Sequence, residues 1–140
     1  MVFLSFFENG LLTMRKEDIL NVAPRVLTDR QREEYFERGF LTITDIVSEA
    51  WVEKLQSTSQ KFLRASTSVK ESGDTYDLGP NHTNIKPHVR RLKALVDRDP
   101  IFWDFARSIP ADIAADLVGP DVKFHSSKLN YKWPGAGELV

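Results

Sequence analysis

KLNYKWPGAGELV, running from Lys128 to Val140, is the stretch on which the reading of the fold turns. Lys128 to Trp133 alternates as a strand does, Pro134-Gly135-Ala136-Gly137 reads as a turn, and Glu138-Leu139-Val140 reads as the start of a returning strand. A hairpin needs both arms, because the N–H and C=O groups of each must find partners. The strand pattern extends back to Val122. Phe124, Ser126, Lys128, Asn130 and Lys132 then share one face; Lys123, His125, Ser127, Leu129, Tyr131 and Trp133 share the other. Neither face is apolar throughout, which suits the wall of a polar cavity better than the middle of a core.

Working backwards, the chain reads as helical. Gly119-Pro120 ends a helix that Pro110 opens, and Asp99-Pro100 supplies a cap and first-turn proline for a helix through Ile101, Phe102, Trp103 and Phe105. Leu92, Leu95 and Val96 mark a short helical pattern. The basic cluster His88-Val89-Arg90-Arg91-Leu92-Lys93 then becomes a solvated helix face. Ala65 to Pro87 is polar and punctuated by Ser-Gly-Asp and Gly-Pro-Asn, so it is expected to be a long loop of the kind that often covers a site. Ser48 can cap a helix carrying Trp51, Val52, Leu55, Phe62 and Leu63 toward a core.

The first clear element starts at Leu27-Thr28-Asp29-Arg30-Gln31. Thr28 and Gln31 can cap reciprocally, Leu27 can staple onto the first turns, and Gly39 suits a left-handed stop. Phe40 to Thr44 alternates like a half-buried strand, with Leu41 and Ile43 on one face. Residues 1–26 read as an extension. Helices followed by strands argue for an α+β domain over residues 27–140, with its sheet incomplete within the chain.

Composition narrows the function. The 140 residues are 41% hydrophobic and 28% charged, which is one ordinary globular domain. Nineteen basic against twenty acidic residues give no electrostatic case for nucleic acid. With no cysteine, disulfides, thiolate metal sites and cysteine nucleophiles are excluded. The apolar run Val2 to Phe7 has no basic residue before it and is cut short by Glu8-Asn9-Gly10. It resembles neither a signal peptide nor a membrane span, so a cytoplasmic setting is expected.

The chemistry-bearing residues form no complete active site. His82 and His88 are six apart with Pro87 between them, so exposed loop polar groups are favoured over metal ligands. His125 neighbours Ser126 and Ser127, but strand neighbours point to opposite faces, and no Gly-x-Ser-x-Gly elbow occurs, so a hydrolase is rejected. Asp112 and Asp116 lie four apart on a helix, a spacing read as a solvated face rather than an acid–base pair. No glycine arrangement cradles a phosphate. Trp51, Phe62, Phe102, Trp103 and Phe105 read as core.

The order of several segments resembles the phytanoyl-CoA dioxygenase family: Leu27-Thr28-Asp29-Arg30-Gln31, then Tyr35-Phe36-Glu37-Arg38-Gly39-Phe40-Leu41-Thr42-Ile43, then Asp99-Pro100-Ile101-Phe102, Leu117 to Val122, and His125 to Gly135. The resemblance covers residues 27–140. It implies a double-stranded β-helix, of jelly-roll or cupin type, and a non-haem Fe(II), 2-oxoglutarate-dependent dioxygenase that hydroxylates a small organic or acyl substrate. In that family a His-x-Asp motif and a later His hold the iron, a facial triad that leaves positions open for 2-oxoglutarate and O₂. This sequence has no His-x-Asp, and the motif would be expected just after Val140.

The run His125-Ser126-Ser127-Lys128-Leu129-Asn130-Tyr131-Lys132 is similar to a His-Gln-Ser-Arg-x-Asn-x-Lys strand of the ectoine-hydroxylase branch. The resemblance makes Lys132 a 2-oxoglutarate contact and sets Ser126 at a substrate-binding position, where it replaces glutamine. Arg91 lies near a further basic residue that touches 2-oxoglutarate in the phytanoyl-CoA-hydroxylating branch. On this reading the chain is the N-terminal part of such an enzyme, inactive as it stands, with unpaired sheet edges that favour aggregation. The alternative is a non-catalytic binding or interaction module that keeps only the helical half of the fold.

Overall fold

Thr28 and Gln31 start the first long helix as their chemistry dictates. The Gln31 N–H donates to Thr28 Oγ1 at 3.3 Å, and the Thr28 N–H donates to Gln31 Oε1 at 2.9 Å, satisfying two donors that a helix start leaves orphaned. This helix, α2, spans Asp29–Arg38 and stops at Gly39, whose φ of 75° is left-handed. The computed structural model describes residues 14–134. The other elements, in chain order, are α1 (Lys16–Leu20), α3 (Glu49–Ala65), β1 (Tyr76–Leu78), β2 (Val89–Lys93), α4 (Pro100–Ala106), α5 (Ile109–Val118) and β3 (Lys128–Asn130). The three strands form one antiparallel sheet in the order β1-β2-β3, so the chain is α+β.

The described residues divide into two compact units. The first takes residues 14–49 and 104–125, and in it α1, α2 and α5 pack on one another. Its centre joins the buried apolar Ile19, Leu27, Ala114 and Ala115 to a buried polar pair. Arg32 on α2 is 1% exposed and Asp116 on α5 is 3% exposed. Arg32 donates from Nε to the Asp116 carbonyl at 3.0 Å, from Nη2 to the Ile19 carbonyl and from Nη1 to the Asp29 carboxylate at 3.3 Å. A buried guanidinium must find such partners, because an uncompensated charge away from water is costly. The stretch before Leu27 thus contributes a helix and a carbonyl to this unit.

The second unit takes residues 50–103 and 126–134. Its core joins Tyr76, Val89, Leu92, Leu95 and Phe102, with Leu55, Phe62, Leu63 and Leu129 packed against them. Across the sheet Tyr76, Leu92 and Leu129 form one row, and Asp77, Arg91 and Asn130 form the neighbouring row on the opposite face.

Several sequence expectations are corrected here. Leu92, Leu95 and Val96 are not on a helix: β2 ends at Lys93, Ala94 turns left-handed at φ 51°, and Leu95–Asp97 is a single 3₁₀ turn. The helical spacing has a specific source. The pairing shifts between Asp77 and Leu78, so that Leu78 pairs with Val89 while Asp77 pairs with Arg91, leaving Arg90 as an extra residue. That bulge lets Val89 and Leu92, three apart, both point into the core, and in sequence this imitates a helix. The basic cluster therefore lies on a strand. The long loop of residues 65–87 contains β1 and the 3₁₀ turn Ser66–Ser68.

Phe40 to Thr44 keeps the expected alternation, with Leu41 and Ile43 half-buried between exposed neighbours, but forms no strand. Among the described residues no strand lies beside it, and a ladder needs a partner. The strand expected from Val122 forms only over Lys128–Asn130, flanked by backbone bonds from the Ala94 N–H to the Ser127 carbonyl and from the Tyr131 N–H to the Arg90 carbonyl. The alternation from Lys128 to Trp133 holds, since Leu129, Tyr131 and Trp133 are half-buried while Lys128, Asn130 and Lys132 are exposed. The returning strand Glu138-Leu139-Val140 and the residues 1–13 lie outside the described residues, as does the turn past Pro134. Ser48 immediately precedes α3, and α4 and α5 start and stop where Asp99-Pro100, Pro110 and Gly119 predict. The Ile101 N–H bonds Asp99 Oδ1 at 3.0 Å.

Candidate functional site

The polar face of the sheet assembles the sequence-predicted cations. Arg91 sits mid-sheet on β2, with Asp77 of β1 on one side and Asn130 of β3 on the other. Its Nη1 pairs with Asp77 Oδ2 at 3.2 Å and its Nε donates to Asn130 Oδ1 at 3.1 Å. The guanidinium is therefore oriented by its strand neighbours, and it is only partly exposed, at 29%.

Lys132 lies two residues beyond Asn130. Tyr131 and Trp133 stack with their rings 14° apart and centroids at 6.0 Å, so they share one side of the strand, and Lys132 projects to the other, the side of Asn130 and Arg91. Lys132 is exposed. Trp133 is pinned by an Nε1 hydrogen bond to the Val89 carbonyl at 2.7 Å, and the Tyr131 N–H bonds the Arg90 carbonyl at 2.9 Å. These bonds carry strand geometry past Asn130 and fix the side on which Lys132 emerges. Arg91 and Lys132 are thus brought to one face. Ser126 is exposed and precedes β3; its neighbour Ser127 accepts from the Ala94 N–H at 3.0 Å and, through Oγ, from the Val96 N–H at 3.2 Å.

His82 is not an exposed loop group. Its Nδ1 accepts from the His88 N–H at 2.9 Å, which makes Nε2 the protonated nitrogen, facing the Ser66 and Val69 carbonyls at 3.1 Å each. One imidazole thus ties residues 66, 69 and 88 together. The His88 ring packs edge-on to Trp133 at 5.8 Å, and its Nδ1 is buried with no hydrogen-bond partner among the described residues. Gly79 permits this packing: a Cβ there would meet His88 Nδ1 at 2.6 Å. A histidine flanked by turn residues was the available signal, but only folding decides whether backbone carbonyls converge on it.

Asp116 also departs from its expected solvated face. Its carboxylate accepts the N–H groups of Arg25 at 2.7 Å, Val26 at 2.9 Å and Leu27 at 2.8 Å. Burial by itself would raise its pKa, but those three bonds and the Arg32 charge outweigh it and hold the carboxyl below its ordinary value. Asp112, one turn earlier, keeps the expected exposed character and pairs with Arg25 at 3.1 Å. Among the described residues the partners of the two carboxylates are backbone N–H groups and the Arg25 guanidinium, so Asp116 is structural.

Among the described residues no group of three or more His, Asp or Glu side chains is placed to hold a metal ion, and no helix is long and apolar enough to cross a membrane. No protein-family model, no curated protein and no solved structure matches this chain.

Proposed function

We propose that the chain is the N-terminal part of a non-haem Fe(II), 2-oxoglutarate-dependent dioxygenase of the phytanoyl-CoA dioxygenase type, hydroxylating a small organic or acyl substrate, with its sheet continued into a double-stranded β-helix. The observation that carries this reading is the sharing of one sheet face by Arg91, Asn130 and Lys132. A dicarboxylate needs charge-assisted donors. On this reading Lys132, exposed and without an ion-pair partner among the described residues, receives a carboxylate of 2-oxoglutarate. Arg91, oriented on the same face by Asp77 and Asn130, is the second 2-oxoglutarate contact of this reading. Ser126 belongs to the substrate side.

The described residues do not fit the iron, since they form no metal-binding group, so no step of the reaction is derived through it. The second reading, a binding module without catalysis, is favoured by the internal pairing of Arg91 and by the His82 ties, which leave the sheet unit well bonded on its own.

Two measurements decide between them. The first is the coding sequence beyond Val140, in which the enzyme reading expects His-x-Asp and a later His and Arg. The second is calorimetric titration of 2-oxoglutarate into the encoded protein and its Lys132→Ala variant. Loss of one charge-assisted contact, about 1.5–3 kcal/mol, weakens binding by roughly tenfold or more. Unchanged affinity removes Lys132 from the site. A stop directly after Val140, in a chain that still unfolds cooperatively as a soluble monomer, favours the binding module.

A further inference from the structure

Lys93 stands directly opposite Lys128 on the polar face of the sheet. The ladder around them fixes what kind of pair they form. The Ala94 N–H bonds the Ser127 carbonyl and the Tyr131 N–H bonds the Arg90 carbonyl, so the hydrogen-bonded pairs fall at residues 94 with 127 and 90 with 131. Such pairs alternate with non-hydrogen-bonded ones, and Lys93 with Lys128 is of the second, closer kind, with Cα atoms about 4.5 Å apart. Like charges placed directly opposite destabilise a sheet, and an anion between them would reverse the sign.

Among the described residues neither lysine forms an ion pair or a side-chain hydrogen bond, whereas Arg91, in the next row, is met by Asp77 and Asn130. Lys128 is exposed and Lys93 half-buried. The row is reached from the face of the sheet, so a strand added at either edge would widen the sheet and leave the row uncovered. Two adjacent cations without a counter-charge, in a chain of formal net charge −1, match a dianion. A carboxylate brings one negative charge. A phosphate monoester brings about 1.5 to 2 at neutral pH, with three acceptor oxygens for the two ammonium groups.

We infer that Lys93 and Lys128 form a binding site for the phosphate group of a small phosphorylated molecule. Lys132 is four residues from Lys128, about 13 Å along an extended strand, so this site is distinct from the proposed 2-oxoglutarate contact there. It goes beyond the dioxygenase reading and does not depend on it.

The test uses the full 140-residue chain at matched ionic strength, with inorganic phosphate and phenyl phosphate as probes against chloride. Amide chemical shifts at residues 93 and 128 should move saturably with both probes, and phenyl phosphate should displace inorganic phosphate. Lys93→Gln and Lys128→Gln should each weaken binding by roughly tenfold or more, the loss of one charge-assisted contact. In chloride alone each should unfold at a urea concentration no lower than the wild type, because the repulsion is gone; a lysine with a merely structural role would lower it. Lys128→Arg keeps the charge and should keep the binding, which separates loss of charge from a folding defect. Lys132→Ala should leave phosphate binding unchanged, so this assignment and the 2-oxoglutarate one fail separately. Absence of saturable binding, unchanged binding in both glutamine variants, or glutamine variants less stable than the wild type in chloride would each overturn the inference. Inorganic phosphate that phenyl phosphate cannot displace would be an adventitious ion only, and would overturn it as well.

Discussion

Replacing Asp116 by alanine removes the acceptor for three successive backbone N–H groups. The Leu27 N–H is buried, and leaving such a donor unsatisfied costs about 1–3 kcal/mol. The Arg25 and Val26 donors are only partly buried, so water restores much of their bonding, and they add about 1 kcal/mol together. The Arg32 Nε bond goes to the Asp116 backbone carbonyl and survives the substitution. The sum, about 2–4 kcal/mol, is a large part of the 5–15 kcal/mol that holds a typical domain together. In urea, with a slope of about 2 kcal/mol per molar, the unfolding midpoint should fall by about 1–2 M. Asp112→Ala is the internal control: its pair with Arg25 is exposed on both sides, and its loss should cost less than about 1 kcal/mol.

The same carboxylate sets an acid response. Its folded pKa lies below the unfolded value of about 3.9, so the unfolded chain binds the proton more readily. The contribution is complete above that unfolded value and is lost as pH falls through the lower, folded one. The Asp116→Ala variant should therefore lose less stability than the wild type between about pH 5 and pH 2. Asp116→Ala and Asp112→Ala that unfold at equal urea concentrations, or an acid limb unchanged by Asp116→Ala, would refute the reasoning.

Two further outcomes follow from the sheet unit. Gly79→Ala drives a Cβ into the His88 ring, which Trp133 packs edge-on, so about 1–3 kcal/mol should be lost and the thermal midpoint should drop by several degrees; Gly73→Ala, with nothing within 4 Å of its Cβ, should be near neutral, and equal shifts for the two would contradict the packing. Burial raises the pKa of both Tyr131 and Tyr76, with the Tyr76 charge adding to the rise at Tyr131 and Arg98 offsetting part of it at Tyr76. Neutral tyrosine is then favoured by the fold, and this stability is present below the unfolded value of about 10 and lost as pH rises through the folded values. Ultraviolet titration should show late tyrosine ionisation coupled to unfolding, and complete ionisation at ordinary pH without unfolding would count against it.

Local chemistry was legible wherever a few neighbouring residues decide it. Thr28 with Gln31, Gly39, Asp99-Pro100, Pro110 and Gly119 marked helix boundaries because caps and turns close within three or four residues. The alternation of Lys128 to Trp133, and with it the face shared by Asn130 and Lys132, followed from the two-residue period of a strand. What the tertiary structure alone decided was every feature that depends on a distant partner. The bulge at Arg90 turned an apparent helix into β2. The absence of a neighbouring strand among the described residues left Phe40 to Thr44 alternating but unbonded. Asp116 and His82, each with the sequence signature of a solvated group, became structural ties because the N–H groups of residues 25–27 and the carbonyls of Ser66 and Val69 converge on them in space. A side chain's type and spacing set what it can bond; which backbone groups lie within about 3 Å of it is settled only when the chain has closed on itself.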